Sequence, residues 1–211
     1  MYGKPTEGFF SKGIVWLLSE LVIVFVGVML AFFVSGWQAD KNKKIRSVRT
    51  LKILESELSD FHTYGPIPFE RMRIALDSFA VKRGAGEVAF PAYYREPRAP
   101  TSPMEAWHAV VESGAYELLE DSLFYALSLH YNRVTHLNDR FMRYTLETEE
   151  IIMPYLHKPP AFFYEEDMSR LKSEYGWHVQ QLEETADELS MLIGEAGNLQ
   201  ALLQKQIDWL Q

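Results

Sequence analysis

The sequence predicts an all-α protein: one N-terminal transmembrane helix continuing into a stalk, then an antiparallel helical bundle with a coiled-coil-like C-terminal helix. Three observations predict it. An apolar run extends from Ile14 to Trp37, interrupted before Ser35 only by Ser19 and Glu20. Downstream, apolar residues recur at spacings of three and four, the helical period. Strand-like alternation is confined to a brief stretch at Val88–Tyr94. The expected organisation is an N-terminal tail (1–13), a membrane helix (14–37), a basic helical stalk (38–64) and a soluble bundle (65–211) of three long helices and two short ones.

The apolar run is the most specific feature. At ~1.5 Å per residue it reaches ~36 Å, enough to cross a ~30 Å hydrocarbon core with some tilt. Trp16 and Trp37 would then lie ~31 Å apart, one at each interface, as an aromatic belt. The run is longer than a signal-peptide apolar region, and no small-residue cleavage site follows it. Glu20, Gly27, Ala31 and Ser35 fall on one arc of the helix, together with Gly13 and Gln38. The rest of the surface is Leu, Val, Ile, Phe and Met. Small residues four apart let helix backbones approach closely in lipid, and a carboxyl group inside a membrane is costly unless it faces another helix or water. That arc is therefore the expected packing face, with Glu20 either a protonated packing residue, a polar contact across an interface, or a proton- or ion-handling group.

After Trp37 come Lys41, Lys43, Lys44, Arg46, Arg49 and Lys52. Six positive residues here, against Lys4 and Lys12 before the run, put the C-terminal side in the cytoplasm. Lys41, Lys43, Lys44 and Arg46 are expected at the headgroup level. The net charge of the 211-residue chain is -8. It is zero over residues 1–39, about +2 over 40–61 and about -10 over 62–211, a balance that disfavours nucleic acid as a partner. The absence of cysteine excludes disulfides, thiolate metal sites and a cysteine nucleophile.

No breaker separates the apolar run from Ile45, Val48, Leu51, Leu54, Leu58 and Phe61, so one helix is expected to continue to Gly65-Pro66. Pro68 suits the first turn of a second helix carrying Phe69, Met72, Leu76 and Phe79, which ends at Gly84-Ala85-Gly86. Residues 87–101 read as an ordered loop. Its Tyr93, Tyr94, Arg95 and Arg98 either fold over the bundle or form a docking surface. Ser102-Pro103-Met104-Glu105 has the form of a capping box and opens a helix with Trp107, Val110 and Val111 on one face, stopped by Gly114. Asp121-Ser122 starts a helix with Leu123, Leu127, His130, Val134, Leu137 and Phe141 on its stripe, running to about Met153. A last helix is expected from about Glu165. It carries Val179, Ala186, Ile193 and Ile207 at one heptad position and Leu182, Leu189, Ala196, Leu203 and Leu210 at the other. Gln200 interrupts the seam, and Gly194 and Gly197 are expected to loosen the helix. The seam serves either this bundle or an intermolecular coiled coil.

Two stretches carry a family likeness. SELVIVFVGVMLAFFVSGWQADKNKK, through Glu20, Gly27, Ala31 and Trp37, and AWHAVVESGAYELLEDSLFYALSLHYNRV, through Trp107, Ser113, Gly114, Leu123, Leu127 and Tyr131, resemble an uncharacterised group of bacterial single-pass membrane proteins. Phe32-Phe33 replaces the smaller aliphatics of that group. The resemblance implies a bacterial inner-membrane location and this fold, and no activity.

Chemistry is sparse. Glu105-Ala106-Trp107-His108 has the Glu-x-x-His form of a helical di-iron ligand pair, but such a site needs a second copy and further carboxylates, and Glu147/Glu150 and Glu174/His178 have the wrong partners or spacing. His130 and His136 are read as packing or surface residues. The acidic runs at 147–150 and 165–167 are read as solvated surface. There is no nucleophile elbow and no phosphate loop. The expected function is a non-enzymatic, cofactor-free scaffold or accessory subunit. Its partners would be the lipid bilayer and either further copies of itself or a larger membrane complex. The alternative is a channel or transport component using Glu20 within an oligomer; a helical metalloenzyme is the weakest reading.

Overall fold

The computed structural model describes the backbone of residues 8–95 and 104–211, and the side chains of these except 8–19 and Ile23. The chain is all-α. Its main helices are α1 (Gly8–Tyr64), α2 (Pro66–Gly84), α3 (Glu105–Ser113), α4 (Asp121–Glu147) and α5 (Ser173–Leu210). Short 3-10 segments follow α3 and α4, and one π turn, Thr148–Ile152, follows directly on α4. Among the described residues the only strand-like feature is one antiparallel bridge between Tyr164 and Leu171. Two compact units divide the chain, Met1–Arg46 and Ser47–Gln211.

In the first unit the helix begins at Gly8, six positions before the apolar run. An 18-residue window reaches a mean hydropathy of 2.2, and none of that window is buried. By length and composition it is able to cross a membrane.

The second unit has a continuous core. Leu51, Leu54 and Leu58 of α1 join Met72 and Leu76 of α2, Trp107 and Val110 of α3, the α4 stripe and the α5 seam. Ile45, read as part of the α1 stripe, lies in the first unit and is exposed. Trp107 and Leu127 are core residues as expected, with Trp107 stacked on Tyr131 at 5.2 Å between ring centroids. Val111, expected beside Trp107, is exposed.

Cross-links define the helix register. Thr148 meets His178, Arg140 meets Glu188, Arg133 meets Glu195, and Gln206 donates to the carbonyl of Leu118. Numbers rise on one side as they fall on the other, so α5 runs antiparallel to α4. Gln200 donates to Glu55, and His62 Nδ1 lies 3.0 Å from the carbonyl oxygen of Ile193, so α5 also runs antiparallel to the end of α1. Every heptad-seam residue named from the sequence is buried except Val179, which is partly buried. Gln200 breaks the seam because it is spent on that inter-helix bond.

Three local expectations are corrected. α5 starts at Ser173, not near Glu165. Residues 164–172 form a tight excursion instead: Met168 has a left-handed φ of 58°, Asp167 accepts bonds from the Ser169 backbone and hydroxyl, and Arg83 donates to the Ser169 carbonyl at 2.7 Å. α3 starts at Glu105 behind Met104, which makes no side-chain cap bond; Ser102, Pro103 and Arg98 lie outside the described residues. Gly197 does not loosen α5. The helix runs on through it, and a Cβ there would come within 2.8 Å of the His62 ring, so the glycine leaves room for that ring on α5. The loop after α2 folds onto the unit through buried Ala89, Ala92 and Tyr94.

Gly65 marks the sharpest close approach. It joins α1 to α2, and a Cβ on it would lie 2.5 Å from the Phe61 carbonyl oxygen and 2.8 Å from Ile193 Cγ1. Gly65→Ala is expected to lower stability by about 1–3 kcal/mol through overpacking. Gly84→Ala, whose Cβ enters open space, should be neutral within about 0.5 kcal/mol. Denaturant melts of the two variants check this, and equal midpoints would contradict the close approach.

Candidate functional site

The residues of the expected packing face lie along one helix, α1, and no described residue covers them. Glu20, Gly27, Ala31 and Ser35 are exposed, and a Cβ on Gly27 would meet nothing within 4 Å. Trp37 is exposed, with Lys41 Nζ 5.7 Å from its ring centroid. Lys43, Lys44 and Arg46 are exposed on the same helix. Trp16 lies outside the described side chains.

Sequence reasoning missed the polar interior of the second unit. Glu57 is buried on the core side of α1. Its Oε1 accepts from the Tyr131 hydroxyl at 2.8 Å, and its Oε2 accepts from the Ala106 backbone N–H at 3.1 Å. One carboxyl group thus joins α1 to α4 and caps the open first turn of α3, where negative charge is favoured. Burial raises the Glu57 pKa, against the lowering effect of both hydrogen bonds. Burial, followed by the neighbouring carboxylate, holds Tyr131 far above the usual phenol range, so it remains a donor. A signal was present: Glu57 falls three after Leu54 and four before Phe61, on the apolar side of a helix.

A second polar cluster closes the far end of α4. Thr148 donates its one hydroxyl proton to the Tyr144 carbonyl at 2.8 Å, so His178 Nε2, 2.8 Å away, must carry a proton and donate to Thr148. His178 is fully buried, lies against the Tyr144 ring at 4.4 Å, and has no partner for Nδ1. Burial pushes its pKa down to about 4. His130, expected to pack, does so against Phe61, with Glu195 3.4 Å from Nδ1.

The surface of the second unit carries grooves on α1 and between α4 and α5. One, of 580 Å³, lies between the start of α4 and the end of α5 and includes Glu120, Leu123, Leu202, Lys205 and Trp209. A shallower one, of 440 Å³, follows α1 over Arg49, Lys52, Ile53, Ser56 and Asp60. Among the described residues, no three His, Asp or Glu side chains converge as a metal site. Glu105 and His108, the Glu-x-x-His pair, are both exposed. No family model, curated protein or solved structure matches the chain.

Two expected outcomes follow from the buried polar groups. Glu57→Leu strands the Tyr131 hydroxyl and the Ala106 N–H, and is expected to cost about 2–4 kcal/mol in denaturant melts. Added Tyr131→Phe should cost less in that background than in wild type, and full additivity would mean that the two side chains are not coupled. For His178 the folded pKa is depressed, so the unfolded chain binds the extra proton. Its contribution is complete above an unfolded pKa near 6.5 and is lost as pH falls toward 4, by up to about 3 kcal/mol. His178→Phe keeps a ring against Tyr144 and removes the titration. Stability measured from pH 7 to pH 4 should fall less steeply in this variant, and parallel curves would contradict the assignment.

Proposed function

We propose that the chain is a non-enzymatic, membrane-anchored scaffold or accessory subunit of the bacterial inner membrane. The observation that carries this reading is the apolar helix of the first unit, which is long enough to cross a bilayer and whose most apolar 18-residue window is unburied among the described residues. Large aliphatic and aromatic residues on most sides suit lipid, while Glu20, Gly27, Ala31 and Ser35 suit close approach of another helix, in a second copy or a larger complex. The basic residues from Lys41 to Lys52 favour a cytoplasmic second unit. The acidic surface of that unit suits protein contacts rather than nucleic acid. The likeness to single-pass bacterial membrane proteins supports the same reading.

The test is cross-linking in native membranes. Wild type should give a discrete cross-linked species. Gly27→Leu should reduce it several-fold by holding backbones apart, while Glu20→Gln, which keeps hydrogen bonding, should leave it intact. Wild-type cross-linking in Gly27→Leu overturns the small-residue face. Normal assembly of Glu20→Gln with loss of ion or proton flux would instead favour the channel reading. Protease added outside the inner membrane should spare the second unit; its digestion would reverse the proposed orientation.

A further inference from the structure

One exposed face of α4 lies between the two points where residues 96–103 leave and rejoin the described chain. Thr135, Asp139, Met142, Leu146 and Glu149 follow one another at spacings of four and three, so they form one stripe along the helix and into the π turn. All five are exposed, Met142 by 54% and Leu146 by 65%. At one end of the stripe Arg95 Nε donates to Glu149 Oε1 at 3.1 Å. At the other the Thr135 hydroxyl donates to Met104 Sδ at 3.4 Å. Both flanks of the segment are therefore fastened to the same face of the same helix.

Length and composition suit the path between those points. From Thr135 to Glu149 the helix rises ~21 Å, at ~1.5 Å per residue. From Arg95 to Met104 the chain reaches ~28 Å at the ~3.1 Å per residue of a polyproline-like course. It is long enough to follow the stripe and too short to bow far from it. Residues 96–103 read Glu-Pro-Arg-Ala-Pro-Thr-Ser-Pro. Pro97, Pro100 and Pro103 have fixed backbones, and Glu96, Ala99 and Ser102 each precede a proline, so the composition favours extension over helix.

Charge order suits the same course. Arg95, Glu96 and Arg98 alternate in sign along the segment. Glu149, Arg143 and Asp139 alternate in the opposite sense along α4, read in the direction the segment must take. The first pair, Arg95 with Glu149, is formed. Arg143 and Asp139 are both exposed, and Arg143 Nε leans back to the Asp139 carbonyl at 3.4 Å, on the edge of the stripe.

We infer that the Met142–Leu146 face of α4 is the seat of the chain's own residues 96–103. Pro97 covers Leu146, Ala99 covers Met142, Glu96 meets Arg143 and Arg98 meets Asp139. Two large apolar side chains leave water, and a proline-rich chain loses little conformational freedom in covering them. Arg98 is thereby an intramolecular contact rather than part of a docking surface for other proteins. The contact lies within one chain and needs neither a second copy nor a bilayer.

The chain has no cysteine, so an introduced pair reports one contact. In the full-length protein, Ala99→Cys with Met142→Cys, and Pro97→Cys with Leu146→Cys, should each form a disulfide within one chain under mild oxidation. Both should form several-fold faster than Ala99→Cys with Ile74→Cys, whose second position is 68% exposed on α2. Asp139→Arg should slow the 99–142 link several-fold, and added Arg98→Asp should restore it. A second measurement is maleimide labelling of Met142→Cys alone. It should speed up several-fold when residues 96–103 are replaced by glycine and serine of equal length. Equal disulfide rates at positions 142 and 74, a link between two chains instead of within one, a paired reversal that fails to restore the link, or labelling that ignores the replacement each overturn the inference.

Discussion

The second unit depends on a carboxyl group that no surface reading would place in a core. Glu57 sits between Leu54 and Leu58, and its two oxygens reach two different helices. Removing a carboxylate from water is expensive, and the cost is offset only when its lone pairs are used. Here one is used by Tyr131, a buried phenol that must itself find an acceptor, and one by the backbone of α3, a nine-residue helix whose N-cap residue, Met104, makes no side-chain cap bond. The arrangement specifies geometry more than it adds stability. An apolar residue at position 57 would tolerate several rotations of α1 against α4, whereas a carboxyl group with two fixed partners tolerates one.

Around that joint, close approach is set by what is missing. Gly65 and Gly197 admit Ile193 and the His62 ring at distances no Cβ allows. α1 and α5 therefore meet along a strip with glycine on one side and bulk on the other, first at Gly65 against Ile193 and then at Gly197 against His62. Trp107, stacked on the same Tyr131 that serves Glu57, fixes the short helix on its other face. Polar pairing and ring packing converge on one residue of α4, which is why α3 is ordered despite its length.

How far the fold was legible follows from the physics of each signal. The 3-4 stripe from Leu51 to Phe61, the α4 stripe and the α5 seam were legible because burial imposes a period on the chain. The start of α5 was not, because residues 165–172 have helix-compatible composition. Their conformation turns at Met168, whose φ is left-handed, and is tied by a bond from Arg83, remote in sequence. Ser102 of the expected capping box lies outside the described residues, and the described N-terminal contact of α3 comes from Glu57, 49 positions away in sequence, which no local pattern announces. Gly197 looked like a flaw in a helix, since a single sequence carries no trace of the ring that lies against it. Glu20, Gly27, Ala31 and Ser35 lie on one helix, but position on a helix does not name what lies across from it.

One helix, α1, changes the pattern of its apolar residues within its length. From Glu20 to Arg46 its described apolar side chains are exposed; from Ser47 a stripe of Leu51, Leu54, Leu58 and Phe61 is buried. In water that stripe is its own driving force, because burying apolar surface is favourable whatever the partner. In lipid the same surface gains nothing by leaving its surroundings, so association falls to shape and to polar contacts. This difference explains the uneven placement of small and polar residues. Gly65 and Gly197 adjust a contact that burial already favours, whereas Gly27, Ala31 and Glu20, if the helix lies in a bilayer, are the only kinds of residue that give one side of it a preference for another helix over lipid.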